Sequence, residues 1–456
     1  MMTANRFLLL AAIVVLAACG HGVTLDAPPA STEAQPLRGI QSPPGPSSKI
    51  RHVVIIVQEN RTVNDLFNGL PGAGTVQVGK NSLGQSVQLL PELLTAPYDI
   101  SHKHYAYVTE YDNGKLDGFN LVDSKCARHQ TCPPPNVRAY GYVPETEVEP
   151  YFVMARSYAF GRSMFQTNQG PSFPAHQYIL SGTSTISNTS PLRAAENPVT
   201  LKHRLTGGCD SPKGSLVWVI DATGSESSEV YPCFDRISLI ALIESKSLTW
   251  RYYQSHLGAG LWKGPDAIAP VYHSPEFATD VVTPPSQVLL DVKNGKLANV
   301  SWVTPTAAES DHAGITDGTG PSWVASIVNA IGESGYWNDT AIFVTWDDWG
   351  GWYDSVPPKQ YDSYELGFRV PLLVISAYAK QHYISKKRHE FGSILKFTEK
   401  TFGLASLGTT DVRADDLSDC FDFSKGPHTF EPIPAPHRAD YFLRQPATTQ
   451  DPDDDR

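Results

Sequence analysis

Two stretches of nearly continuous apolar residues end in acidic or amide side chains. His52-Val53-Val54-Ile55-Ile56-Val57 runs into Gln58-Glu59-Asn60-Arg61, and Ala341-Ile342-Phe343-Val344-Thr345-Trp346 runs into Asp347-Asp348. Short, β-branched runs of this kind predict strands buried on both faces of a parallel sheet. Leu216–Ile220, Val300–Val303 and Val370–Ile375 predict further strands. From Pro321 to Ser334 the period changes: Trp323, Val324, Ile327, Val328 and Ile331 fall on one stripe, predicting a helix with Pro near its first position. A second helix is expected from Glu390 to Phe402, burying Phe391, Ile394, Leu395 and Phe402. Helices interleaved with apolar strands make a layered α/β fold with one central, largely parallel sheet. Residues 183–245 read as an insertion of loops and short elements, a cap over the site.

In open α/β sheets the chemistry gathers beyond the carboxyl ends of the strands. If the first two strands lie parallel and close, Glu59, Asn60, Asp347 and Asp348 offer hard oxygen ligands at one sheet edge, a set suited to one divalent cation.

The N-terminus carries a different pattern. Arg6 precedes a wholly apolar run from Phe7 to Ala18, and Cys19-Gly20 follow. A basic start, a short apolar core and small residues describe a secretory signal; a membrane span needs roughly 20 apolar residues. Leu16-Ala17-Ala18-Cys19 resembles the lipobox of bacterial lipoproteins. The expected order is therefore a signal at 1–18, an Ala/Pro/Ser-rich tether at 19–48 beginning at a lipidated Cys19, a catalytic domain at 49–425 and a C-terminal tail at 426–456. That order implies export to the periplasm or cell envelope and a membrane contact through the anchor.

Composition narrows the partners. A formal charge of −11 argues against a nucleic-acid surface, which needs clustered Lys and Arg. Besides Cys19 there are five cysteines. Cys126 and Cys132, and Cys209 and Cys233, each bracket a polar excursion and are expected to form local disulfides, leaving Cys420 free. No CxxC spacing supports a zinc cluster.

The segment Asn168-Gln169-Gly170-Pro171-Ser172-Phe173-Pro174-Ala175-His176 places a serine in a Gly/Pro turn. A serine hydroxyl needs a base or a metal to become a nucleophile. With no Gly-x-Ser-x-Gly elbow in the chain, activation by a metal is the better account. Turns also use Ser freely, so the plain reading of this residue alone is structural. His102, His273 and His312 stand out by context, the last in Glu309-Ser310-Asp311-His312 after a strand; His129 and His203 read as structural.

Taken in order, Glu59-Asn60-Arg61, Gly170-Pro171-Ser172-Phe173-Pro174, Glu309-Ser310-Asp311-His312 and Asp347-Asp348-Trp349-Gly350-Gly351-Trp352-Tyr353-Asp354 resemble the bacterial phosphoesterase family of non-haemolytic-type phospholipases C and acid phosphatases. The resemblance covers roughly residues 50–405 and implies an alkaline-phosphatase-like three-layer sandwich. It makes Glu59, Asn60, Asp347 and Asp348 metal ligands, and Ser172 a nucleophile that also touches the metal. It sets His102, His273 and His312 around the phosphoryl group, with Thr167 an alternative nucleophile. It implies one divalent cation of unspecified identity. The chain departs from the pattern at Thr62-Val63-Asn64, where Ser-Phe-Asp is usual, at Ala175 for Asn, and at Ser355 for His. The short stretch beyond the last motif favours a simple phosphatase or small-diester hydrolase. The expectation is thus an exported hydrolase of phosphate esters working through a phosphoserine; a phospholipase C and a phosphate-ligand-binding lipoprotein without turnover are the alternatives.

Overall fold

The computed structural model describes residues 49–448 except 128, 200, 202 and 203. The signal, the Cys19 anchor, the tether, His203 and the acidic end 451–456 lie outside the described residues. The strands of the central sheet are β1 (His52–Gln58), β2 (Ala159–Gly161), β3 (Trp250–Tyr253), β4 (Val281–Val282), β5 (Val300–Val303), β6 (Thr340–Trp346), β7 (Leu372–Ser376) and β8 (Tyr383–Ser385). Their order is β4-β3-β5-β1-β6-β7-β2-β8. Neighbours from β4 to β6 are parallel, as are β2 and β8, while β7 is antiparallel to both of its neighbours. The sheet is therefore largely parallel, with β7 alone reversed.

The apolar runs of β1 and β6 are central and buried: every residue from Val53 to Gln58 and from Thr340 to Trp346 is excluded from solvent. Helices cover both faces. Helix α1 (Glu149–Ser157) sets the Tyr151 ring 5.1 Å from that of Trp346. Helix α2 (Ser172–Ser181) follows β2 in the chain. Helix α3 (Gln287–Lys293) packs against α4 (Gly320–Gly332), whose stripe of Trp323, Val324, Ile327, Val328 and Ile331 is fully buried. Helix α5 (Phe391–Phe402) lies on the other face, with Phe397 5.0 Å from Phe343. Strand alternation explains the division, since Phe343 and Trp346 are three residues apart and point to opposite faces. The result is a three-layer α/β sandwich.

Three local expectations change. The strand at Val217–Ile220 forms, but in a small antiparallel sheet with Arg193–Ala194 and Ser228–Val230. Its Trp218 is exposed, so the run is not a buried central strand. Phe402 is only partly buried at the end of α5. The segment drawn as a C-terminal tail packs onto the domain from 426 to 448: Phe430 lies 4.8 Å from Trp337, Phe442 lies 5.2 Å from Trp323, and Asn329 exchanges two hydrogen bonds with the Ile433 backbone. Both expected disulfides, Cys126–Cys132 and Cys209–Cys233, are present, and Cys420 is free and buried.

A polar pillar fixes the carboxyl end of β6. Asp311 Oδ2 accepts from Tyr151 Oη at 2.8 Å and Trp346 Nε1 at 2.9 Å, while Arg61 Nε donates to the Asp311 carbonyl at 2.8 Å. Burial pushes the Asp311 carboxyl up to about 7, against the opposing pull of Tyr151, Arg61 and Trp346. The folded protein thus keeps a proton that the unfolded chain loses near 3.8, so this group withdraws stability as pH rises between those values. Asp311→Asn removes the titration while keeping an acceptor oxygen. Chemical denaturation of both proteins across that range should show the wild type losing stability relative to the variant as pH rises, then a constant difference above about 7. Parallel curves would contradict the assignment.

Candidate active site and metal centre

Parallel pairing in register sets Gln58 of β1 beside Trp346 of β6, so the next residues of both strands emerge together. Glu59, Asn60, Asp347 and Asp348 are all buried there. The Asn60 amide donates to Asp347 Oδ1 at 3.0 Å, and the Asp348 amide donates to the same oxygen at 2.7 Å. Asn60 holds a left-handed backbone (φ 64), which an Asn tolerates better than most residues. Gly350 answers it: a Cβ there would sit 2.3 Å from the Asn60 carbonyl, and its own φ is 61. The glycine after Asp347-Asp348-Trp349 is required for the two strand ends to touch.

The serine arrives from a third strand. Beyond β2, Met164–Phe165 pairs with His389–Glu390, and the chain turns into α2 at Ser172. Gly170 is needed in this turn because a Cβ would meet both the Ala195 carbonyl and the Tyr364 hydroxyl at 2.4 Å. Ser172 Oγ, fully buried, donates to Asp348 Oδ2 at 3.2 Å, and the Asp348 Oδ1 accepts from the Gly350 amide at 2.8 Å. Thr167, the alternative nucleophile, accepts instead from the Phe391 amide at 3.0 Å and serves as a cap for α5.

One turn after Ser172, on the same face of α2, lies His176, a residue to which the sequence reading gave no role. Its Nε2 is 3.2 Å from Glu59 Oε1 and 3.8 Å from Asp347 Oδ2. Donor atoms of Glu59, His176 and Asp347 all lie within 4.8 Å of one another. The spacing of Ser172 and His176, four apart on a helix, was the available signal.

The tautomer of His176 decides what this cluster holds. Tyr252 has one hydroxyl proton and donates it to the Trp262 carbonyl at 2.8 Å, so toward His176 Nδ1, at 3.4 Å, it accepts. With its proton on Nδ1, His176 turns an Nε2 lone pair toward the two carboxylates; with its proton on Nε2, it donates to Glu59 Oε1 at 3.2 Å. Protonating both nitrogens is disfavoured, because burial lowers the His176 pKa to about 4 against the pull of Asp347. Two ionised carboxylates within 4.8 Å of each other repel by roughly 3 kcal/mol or more at an effective dielectric of 20, more than the ~1 kcal/mol net of a hydrogen bond. A divalent cation among these donors would offset that repulsion. Asp347 Oδ2 and Asn60 Oδ1, buried and without hydrogen-bond partners, are the remaining atoms that such an ion would satisfy. The residues fit a metal of mixed oxygen and imidazole preference.

The three expected histidines separate. His102 stands behind Asn60: its Nδ1–H donates to the Ile100 carbonyl at 2.8 Å, and its Nε2 accepts from Asn60 Nδ2 at 3.0 Å. It therefore orients the Asn60 amide. His312 lies beside it, ring centroids 5.8 Å apart, with Nδ1–H donating to the Ala313 carbonyl at 2.7 Å and its ring against Trp262. His273 is exposed at the end of a short helix, its ring against Tyr272, and the structure does not bring it to the cluster. Two of the departures from the motif pattern meet: Ser355 Oγ donates to Asn64 Oδ1 at 3.4 Å, and Thr62 Oγ1 donates to the Tyr353 carbonyl at 3.0 Å. They fasten the two metal-side segments to each other. Ala175 is buried in α2.

The family profile described as the Phosphoesterase family matches residues 50–405, which span every element of this cluster. The chain belongs to the Phosphoesterase family. Among its relatives are a non-hemolytic phospholipase C of Pseudomonas aeruginosa, 24% identical over 86% of this chain and 60% of the relative, and phospholipase C B of Mycobacterium tuberculosis, 22% identical over 85% of this chain and 81% of the relative. The chain thus spans about three fifths of the length of the Pseudomonas relative. Among solved structures, a member of the alkaline phosphatase superfamily from Vibrio parahaemolyticus aligns over 82% of this chain and 72% of its own, with 12% identity and a TM-score of 0.38.

Membership does not by itself say that His176 is a ligand; metal analysis does. Inductively coupled plasma measurement after gel filtration should show a cation in the wild type and its loss in His176→Ala and Asp347→Ala, both folded by circular dichroism. Undiminished metal in His176→Ala would contradict the cluster drawn here.

Proposed function

We propose that this chain is a metal-dependent phosphoesterase that transfers a phosphoryl group to Ser172 and then to water. We also propose that it is exported and anchored through Cys19, on the strength of its N-terminal sequence. The observation that carries the catalytic reading is the Ser172 hydroxyl, held at 3.2 Å on Asp348 directly beside the Glu59–His176–Asp347 cluster. Glu59, Asn60, His176, Asp347 and Asp348 would hold one divalent cation. When bound, it supplies charge neutralisation for phosphate oxygens and for the serine alkoxide.

The chain's own groups account for the proton movements. Ser172 Oγ forms a bond to phosphorus while the bond from phosphorus to the ester oxygen breaks, and Asp348 receives the serine proton. His312, as imidazolium, gives its proton to the departing oxygen. In the second half, water attacks the phosphoserine, His312 takes back a proton from that water, and Ser172 recovers its own from Asp348. The products are an alcohol and, from a monoester, inorganic phosphate. Burial of Ser172 in a turn fixed by Pro171 and Pro174 limits the orientational cost of the attack.

An acid-phosphatase-like action on monoesters is the primary reading. A phospholipase C acting on head-group diesters is the second, supported by the names of the relatives above. Release of product from a chromogenic monoester and from a choline-phosphate diester, each at matched concentration, separates them. Ser172→Ala should stay folded and metal-bound yet lose at least about a thousandfold in turnover on the better substrate, the scale of removing a nucleophile that acts as a unit with its partners. Thr167→Val should keep most of its rate. Retention of a tenth or more of the activity in Ser172→Ala, on that same scale, would contradict the role given to this serine.

A further inference from the structure

A second group of ligand-type side chains lies away from the serine, where β8 meets the start of α5. His389 Nδ1–H donates to Asp415 Oδ1 at 2.6 Å, which turns Nε2 toward Ser385 Oγ at 2.7 Å. Ser385 Oγ also lies 2.6 Å from Asp419 Oδ2, and Cys420 Sγ lies 3.9 Å from Asp419 Oδ1. Donor atoms of His389, Asp419 and Cys420 all fall within 4.8 Å of one another. His389, Ser385 and Cys420 are fully buried, whereas the Asp415 side chain is 20% exposed. The Cys420 backbone is fixed by the Lys380 amide, which donates to its carbonyl at 2.8 Å.

We propose that His389, Asp419 and Cys420 form a second, structural cation site for zinc or a similar borderline ion. Three features carry this. An imidazole, a carboxylate and a thiol make a donor set that zinc accepts and that magnesium and calcium do not. A carboxylate on the far nitrogen of the ligating histidine, here Asp415, is the arrangement that fixes the ring and strengthens it as a ligand. Ser385 Oγ, within 2.7 Å of His389 Nε2 and 2.6 Å of Asp419 Oδ2, holds these two donors toward one point. On binding, the Cys420 thiol gives its proton to solvent and the thiolate joins the ion. The site would brace the chain that delivers the nucleophile, because His389–Glu390 pairs with Met164–Phe165 and Thr167 caps the next residue, Phe391.

Cobalt(II) tests this without reference to activity. The full chain is stripped with chelator, loaded with cobalt(II), and its near-ultraviolet spectrum recorded for wild type, Cys420→Ser, Asp419→Asn and Asp347→Ala. The wild type and Asp347→Ala should show thiolate-to-cobalt charge-transfer absorption; Cys420→Ser should lack it and bind one ion fewer, and Asp419→Asn should weaken it. Cobalt bound by the wild type without that absorption would overturn the second site, and if that cobalt is lost in Asp347→Ala the phosphoesterase reading stands. Absorption that persists in Cys420→Ser would also overturn it, since the thiolate would then be elsewhere. No cobalt bound at all would overturn both.

Discussion

Everything at the active centre depends on one constraint: the ends of two adjacent parallel strands deliver buried carboxylates into the same small volume, facing the His176 imidazole. Glu59 and Asp347 leave β1 and β6 in register, and His176 Nε2 lies 3.2 Å from Glu59 Oε1 and 3.8 Å from Asp347 Oδ2. In a low-dielectric interior such a grouping is costly unless a proton or a cation offsets the charge. Repulsion among these groups makes the site, and the rest of the fold holds them against it.

The holding is done by backbone and by polar side chains below the site. Gly350 lets the Asp347-Asp348 turn approach Asn60, and His102 sets the Asn60 amide. Arg61, buried, reaches Asp65, the Leu94 carbonyl and the Asp311 carbonyl with separate nitrogens, so the loops after β1 and β5 are tied at one point. Residues 183–245 reach the neighbour of Ser172 too: the Asn197 side chain accepts from the Phe173 amide at 2.9 Å, and Phe234 lies 6.0 Å from Phe173. Ser172, the Glu59–His176–Asp347 cluster and residues of the 183–245 stretch are therefore parts of one packed unit.

The apolar runs ending in Glu59-Asn60 and Asp347-Asp348 were legible because central parallel strands are continuous in hydrophobicity, and because chemistry collects at their carboxyl ends. The disulfide partners were legible because both pairs close short polar loops. His176 was not, since its proximity to Glu59 is a product of tertiary packing between α2 and the sheet, which periodicity does not report. The Val217–Ile220 strand was read correctly as a strand, but four apolar residues do not name their sheet. His102 and His312 share a neighbourhood, yet only the hydrogen bonds separate the residue that orients Asn60 from the one held by the Ala313 carbonyl. His273 follows a short helix whose end faces solvent, and sequence context alone could not show that.

The most direct test of the central claim is anomalous diffraction from crystals of the full chain grown with manganese(II), with data collected on both sides of the metal absorption edge. The account predicts a strong anomalous peak bounded by the Glu59 and Asp347 carboxylates and His176 Nε2, within reach of Ser172 Oγ. A fully loaded crystal with no peak among these atoms, and His176 Nε2 hydrogen-bonded as a donor to Glu59, would contradict it.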